Sequence, residues 1–152
     1  MQEYEYSFKV KSIDPYINYC EENNYIKKSS IKENRIVYHN NNLKHVIARI
    51  TTKEDKIILD FKNTNKELND LKVSNESLPL LVDDINTIKS MLDVLGFYEN
   101  ANNTRIRYIY EKDGVTFEID DYIKPIMQVV AIEGNKDKVD KIYKEIKNII
   151  GE

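Results

Sequence analysis

The stretch "EYEYSFKV", residues 3 to 10, puts Tyr4, Tyr6, Phe8 and Val10 on one set of alternate positions and Glu3, Glu5, Ser7 and Lys9 on the other. Successive side chains of a strand point to opposite faces. The segment therefore reads as a strand with one aromatic face and one face bearing two neighbouring carboxylates. Like charges side by side repel, so the second face needs a reason. Either it looks into water, or something in front of it favours paired carboxylates.

The same alternation recurs along the chain. "RIRYIYEKDGVTFEID", residues 105 to 120, is a hairpin: strand 104–111, turn "EKDG", strand 115–120. Arg105 and Arg107 share a face opposite Ile106, Tyr108 and Tyr110, while Glu118 and Asp120 oppose Phe117 and Ile119. In "KHVIARIT", 44–51, Arg49 opposes Ala48 and Ile50; in "KIILDFK", 56–62, Asp60 and Lys62 oppose Leu59 and Phe61. "NRIVYH", 34–39, "IMQVVAIE", 126–133, and the weaker "ELNDLKVSN", 67–75, read as further strands, and the first strand extends over 2–12. Three helices punctuate the set. Residues 14–24 begin with Asp14 and Pro15, a favoured helix start. Residues 79–95 carry Leu81, Ile85, Ile88, Leu92 and Leu95 at three- and four-residue spacing, with Gly96 as the stop. Residues 135–150 carry a stripe of Val139, Ile142, Tyr143, Ile146 and Ile149.

An open antiparallel sheet with water on its charged face accounts for the alternation. The charged faces, however, are dense in Arg and carboxylate and poor in Thr, Ser and Gln. A sheet of this many strands also tends to curl or close, which removes its edges. If it closes with the helices outside, the charged face becomes a lumen, where unpaired charge is costly.

Composition narrows the function classes. The chain has 152 residues, a single-domain length (1–152), with 41% hydrophobic residues and a net charge of −3. That charge argues against a protein that coats nucleic acid, and no apolar run is long enough to span a membrane. The lone Cys20 has no internal disulfide partner, which fits a reducing cytoplasm. His39 and His45 lack metal-ligand spacing, and no phosphate-binding glycine loop or nucleophile elbow is present.

The ordered set of motifs resembles the CYTH family of class IV adenylyl cyclases, thiamine triphosphatases and related triphosphatases. Glu3-Tyr4-Glu5-Tyr6-Ser7 stands where that family opens with Glu-x-Glu-x-Lys. "VIARI", "IILDFK", "VLGF" at 94–97, "RIRY", "FEID" and "VVAIEG" follow in the family's order. The resemblance implies an α+β fold, a closed eight-stranded antiparallel β-barrel with helices packed outside, whose tunnel takes a small triphosphate-bearing ligand with Mg²⁺ or Mn²⁺. By matching position, Glu3, Glu5 and Glu133 would be metal ligands. Arg49, Lys62, Arg105 and Arg107 would hold phosphate oxygens. Asp120 would act as a base or a second metal anchor. The expected partners are that ligand alone, with no nucleic acid and no membrane, and the expected state is a monomer or homodimer.

Two positions depart from the family pattern. Ser7 replaces the motif Lys, and Ala131 replaces the first Glu of the late Glu-x-Glu. Lys9 shares the face of Ser7, roughly 7 Å further along the strand, and is the candidate substitute cation. These losses keep a non-catalytic nucleotide- or polyphosphate-binding module open beside a triphosphatase or cyclase. Ordinary cross-strand pairing of Arg105 and Arg107 with Glu118 and Asp120 is a further alternative.

Overall fold

The computed structural model describes residues 2–68 and 71–150. In chain order the elements are β1 (Gln2–Val10), α1 (Asp14–Glu22), β2 (Ile26–Asn40), β3 (Val46–Lys53), β4 (Lys56–Leu68), β5 (Leu71–Glu76), β6 (Leu80–Val82), α2 (Ile85–Val94), β7 (Phe97–Lys112), β8 (Val115–Lys124), β9 (Met127–Gly134) and α3 (Lys136–Ile150). Eight strands close a ring in the order β1-β5-β4-β3-β2-β7-β8-β9 and back to β1, every pairing antiparallel. The short β6 pairs with the Ile57–Leu59 end of β4. The fold is thus the expected closed eight-stranded α+β barrel, with one short strand added.

Local chemistry explains the sharp turns. Glu54 and Asp55, both at positive φ, form the two-residue link between β3 and β4; Asp113 and Gly114, also at positive φ, link β7 to β8. Mirror-image turns of this kind match strand twist and favour Asp-Gly pairs. They fix the register, and with it which face of each strand turns inward.

The outer faces pack in two clusters. Tyr16 and Cys20 of α1 and Val139 and Ile146 of α3 bury Phe117, Ile119, Val130 and Ile132 of β8 and β9. Leu92 of α2, with Ile85 and Ile88, covers Ile36, Tyr38, Ala48, Ile50 and Leu59 on β2, β3 and β4. The apolar face of the barrel therefore lies outside, under helices, and the charged face lies inside. The side chain of Ile149, placed on the α3 stripe by its spacing, lies outside the described residues.

Several boundaries differ from the sequence reading. The helix expected over 79–95 is the strand β6 followed by α2. Pro79 cannot supply an interior helix hydrogen bond, and the Asp84 side chain caps α2 by accepting from Asn86 N at 2.9 Å. Leu80 and Leu81 instead pair with Leu59 and Ile58, and Leu81 and Leu95 are 69% and 64% exposed. β2 runs over 15 residues rather than 34–39, and β7 begins at Phe97 rather than 104. Their added halves carry polar residues on both faces, which hides the period of two. The strand expected over 67–75 falls partly on residues 69 and 70, outside the described ones; 67–68 end β4, and β5 starts at Leu71. Among the described residues no helix is long and apolar enough to cross a membrane.

Candidate functional site

The inner faces converge on a cavity of about 300 Å³ lined by Glu5, Arg49, Lys62, Arg107, Asp120 and Glu133 from the expected set. Glu33, Arg35, Lys53, Asp60, Glu76 and Glu118 line it as well. Glu3 lies at one end against Glu76. Arg105, only 4% exposed, sits in the wall behind Glu33. Lys9 is exposed and does not line the cavity. Ser7 and Ala131, the two departures, are register partners on neighbouring strands and both face the cavity.

One wall, built from β2, β3, β4, β7 and β8, is rich in guanidinium groups held by carboxylates. Arg49 donates from Nε and Nη2 to the two oxygens of Asp60, at 2.9 and 2.5 Å, and also pairs with Glu76. Burial works against its charge, but Asp60 and Glu76 outweigh burial and hold Arg49 above its ordinary pKa. Arg107 forms a two-point bond with Asp120, at 2.8 and 2.9 Å, and donates Nη1 to Glu118 at 2.9 Å. It too is raised despite burial, by Glu118, Asp120 and Glu33. Arg105 donates Nε and Nη2 to Glu33 Oε1, at 3.0 and 2.7 Å, and Nη1 to the Tyr122 hydroxyl at 2.8 Å. The cross-strand pairing foreseen for Arg107 with Glu118 and Asp120 is thus present, inside a lumen. Planar forks meeting carboxylates at two points are the strong, orienting form of such bonds.

Arg35 differs from its neighbours. It donates Nε to Thr51 Oγ1 at 3.0 Å, and no carboxylate among the described residues forms an ion pair with it. Its burial, followed by the nearby charges of Arg107, Arg105 and Arg49, pushes its pKa down to about 9. A guanidinium crowded by three others is electrostatically suited to an anion.

Carboxylates of β1, β8 and β9 form an acidic wall that adjoins the basic one at β8. Ligand oxygens of Glu5, Glu118 and Glu133 all lie within 4.8 Å of one another. Burial and the adjacent Glu118 push Glu133 up to about 11. Burial opposes the charge of Glu118, yet Arg107 and a hydrogen bond from Glu133 hold it down at about 2. The pattern repeats at the end of the cavity. Glu3 rises to about 8 through its hydrogen bond with Glu76, its burial and the Glu76 charge. Glu76 is held at about 2 by that bond and by Arg49, against burial. Lys62 donates to Glu5 Oε2 at 3.2 Å, and Glu3 Oε2 is buried with no hydrogen-bond partner. Carboxylates this close stay together by sharing protons or a cation. An all-oxygen donor set suits a hard divalent ion.

The sequence reading did not single out four charged residues that line the cavity. Glu33 stands one residue before the strand read over 34–39, and Glu76 one residue after the strand read over 67–75. Arg35 lies within its strand, at the same parity as Val37, so its inward direction was available from alternation. Lys53 belongs to the charged turn that closes the β3–β4 hairpin.

No protein-family model and no curated protein matches the chain. Solved structures do. A protein of Pyrococcus horikoshii OT3 is 19% identical, with a TM-score of 0.79 over 98% of this chain and 90% of that one. A Hippeastrum protein described as an adenylyl cyclase candidate with a dominant triphosphatase activity is 13% identical, with a TM-score of 0.69 over 98% and 88%. A chain of the Schizosaccharomyces pombe Mediator head module is 11% identical, with a TM-score of 0.63 over 99% and 95%. At these identities the likeness is one of fold, and the same barrel stands in both an enzyme and an assembly module.

Proposed function

We propose that this CYTH-type barrel binds a triphosphate together with a divalent cation, Mg²⁺ or Mn²⁺, and turns the triphosphate over. The observation that carries the reading is Arg35: a mostly buried guanidinium that forms no ion pair with a carboxylate among the described residues, in the same 300 Å³ lumen as a trio of carboxylates. One side of the lumen suits phosphate oxygens and the other suits a cation, as a metal-bound triphosphate requires. The triphosphatase activity named for the Hippeastrum protein supports the same reading.

Glu5, Glu118 and Glu133 would hold the cation, with Glu3 beside them. When bound, the cation neutralises phosphate charge and polarises the phosphorus under attack. Arg35 meets a phosphate without giving up an ion pair. Arg49 and Arg107 are fixed by Asp60, Glu76, Glu118 and Asp120, so their positive edges are already oriented when a ligand enters. Lys62, bonded to Glu5, spans the two walls. Both Asp120 oxygens are taken by Arg107, so its part in this reading is to position that guanidinium rather than to accept a proton. Attack by water gives hydrolysis; attack by a ribose 3′-hydroxyl gives cyclisation.

A second reading is binding without turnover. Ser7 and Ala131 favour it, because they remove one cation and one carboxylate from the lumen. The test is incubation of the pure protein with ATP, thiamine triphosphate and inorganic triphosphate, with Mg²⁺ or Mn²⁺, following free phosphate and cyclic AMP. Phosphate release supports hydrolysis and cyclic AMP supports cyclisation. Absence of both, with calorimetric binding of a non-hydrolysable triphosphate, leaves the binding module. No product and no heat at millimolar ligand overturns both readings. Arg35→Met is expected to weaken binding at least tenfold, ~1.4 kcal/mol, without unfolding the barrel.

A further inference from the structure

The carboxylates of the lumen differ in what their oxygens are doing. Both oxygens of Asp60 accept from Arg49, and both of Asp120 accept from Arg107. Glu5, Glu118 and Glu133 crowd together as the acidic trio. Glu76 lies between Arg49 and Glu3. Glu33 stands apart. Arg105 donates Nε and Nη2 to the same oxygen of Glu33, Oε1, at 3.0 and 2.7 Å. Arg107 Nε approaches that oxygen as well, at 3.8 Å. Among the described residues no group bonds to Oε2, which keeps contact with the open cavity.

That second oxygen is held in one place. Glu33 and Arg105 are each 4% exposed, and Arg105 is itself fixed by donating Nη1 to the Tyr122 hydroxyl at 2.8 Å. Two donors on Oε1 set the plane of the carboxylate and so the direction of Oε2. Burial opposes the charge of Glu33, but Arg107 and Arg105 outweigh burial and hold its pKa below the ordinary value. Oε2 is therefore an acceptor throughout the neutral range. Arg35 lies two residues further along β2 on the same inner face, roughly 7 Å away. An anionic acceptor at that distance repels a phosphate bound to Arg35. What it attracts is a group that can donate a hydrogen beside the phosphorus.

Resting on the reading of the lumen as a triphosphate site, we infer that Glu33 Oε2 orients the water that attacks the phosphate held at Arg35. As the water oxygen bonds to phosphorus, its O–H bond breaks and the proton passes to Oε2. The bond from phosphorus to the bridging oxygen breaks, and its electron pair leaves with the departing phosphate chain. Glu33 then gives the proton to bulk water. A fixed acceptor on the nucleophile is a recurring part of phosphoryl-transfer sites. Arg105 and Tyr122 are positioning residues in this scheme, since they reach the water only through Glu33.

Glu33→Gln tests the inference. Gln keeps an oxygen for Arg105 and puts an amide N–H where Oε2 stood. With Mg²⁺ or Mn²⁺, kcat for phosphate release is expected to fall about 100-fold or more. Calorimetric affinity for a non-hydrolysable triphosphate should stay the same or tighten, because a negative charge beside the phosphate is gone. A Glu33 that only holds Arg105 predicts no such split. Wild-type kcat in Glu33→Gln, or affinity that falls in step with kcat, overturns this inference alone. A wild type that makes cyclic AMP and releases no phosphate overturns it while leaving a triphosphate enzyme. A wild type that binds triphosphate and forms no product overturns it together with turnover. Should Glu33→Gln disturb folding by leaving Arg105 unpaired, the double variant Glu33→Gln, Arg105→Gln removes both charges. The same split is expected of it, and turnover at the wild-type rate overturns the inference equally.

Discussion

The two walls of the lumen bury charge by opposite means. On the basic wall, Arg49, Arg105 and Arg107 each meet a carboxylate from a neighbouring strand in fixed geometry. On the acidic wall, Glu5, Glu118 and Glu133 crowd one another and stay together by holding a proton at Glu133. Apart from Arg35, the basic wall is complete among the described residues. In the proposed function a cation would join the acidic wall and allow it to ionise fully. Stability and ligand binding are therefore divided between the walls, and substitutions on each should report different quantities.

The largest effect is expected from Arg107→Met. It strands Asp120, Glu118 and Glu33 as buried carboxylates without their shared partner, a loss of about 3–5 kcal/mol in denaturant unfolding. A loss below about 1 kcal/mol would mean that the basic wall is as loosely held as a surface ion pair. Glu133→Gln should act the other way round. It puts a permanently neutral hydrogen-bonding group where Glu133 otherwise has to hold a proton, so the metal-free protein should unfold at the same denaturant concentration or a higher one. Mn²⁺ affinity by calorimetry should fall about 100-fold, ~2.7 kcal/mol. A destabilised protein with unchanged Mn²⁺ affinity would erase the distinction between the walls.

Ser7→Lys sharpens the comparison by adding a cation between them. Ser7 lines the cavity next to Ala131, and an ammonium there is expected to tighten triphosphate binding about tenfold, ~1.4 kcal/mol. Unchanged affinity with the fold intact would place the ligand away from the inner face of β1.

The smallest effect is a pH slope. Glu3 has its pKa raised to about 8, so between its ordinary value of 4.5 and about 8 the folded protein holds a proton that the unfolded chain has lost. Stability of the metal-free protein should therefore fall as pH rises through that window. Glu76 and Glu118, held at about 2, act oppositely: their stabilisation is present above 4.5 and is lost as pH falls towards 2. The thermal midpoint should peak near pH 5 and decline by a few degrees towards pH 8, and Glu3→Gln should remove part of that decline, Glu133 supplying the rest. A midpoint that rises from pH 5 to 8 would show that Glu3 is ionised in the fold.

Much of this was legible in the sequence because a strand's period of two writes its inner face on alternate residues. Glu133, at the end of a continuous apolar run, was named only by the family resemblance, whereas Arg49, Lys62, Arg107 and Asp120 were placed on a charged face by that alternation. Glu33 and Glu76 were not, because they sit just past the ends of strands whose outer halves are polar on both faces. Arg35 had the right parity, but that no described carboxylate forms an ion pair with it is a property of three dimensions. The apolar run "LPLLV" fits a helix or a strand equally by spacing. Pro79 near its start and the Asp84 cap after it decide for a strand, since they set where α2 can start.

The closure of the ring also has a consequence for assembly during synthesis. β1 pairs on one side with β5 and on the other with β9, the last strand of the ring. Glu5 comes from β1 and Glu133 from β9, and they are direct register partners. The acidic cluster therefore cannot form until β9 has left the ribosome. Until then β1 waits with one open edge, and the charged inner faces remain in water, where their ionisation is ordinary. Non-local closure of this kind is slow relative to local hairpins. The β3–β4 and β7–β8 hairpins, with their two-residue turns, can form first, and the basic wall they carry precedes the acidic one in time.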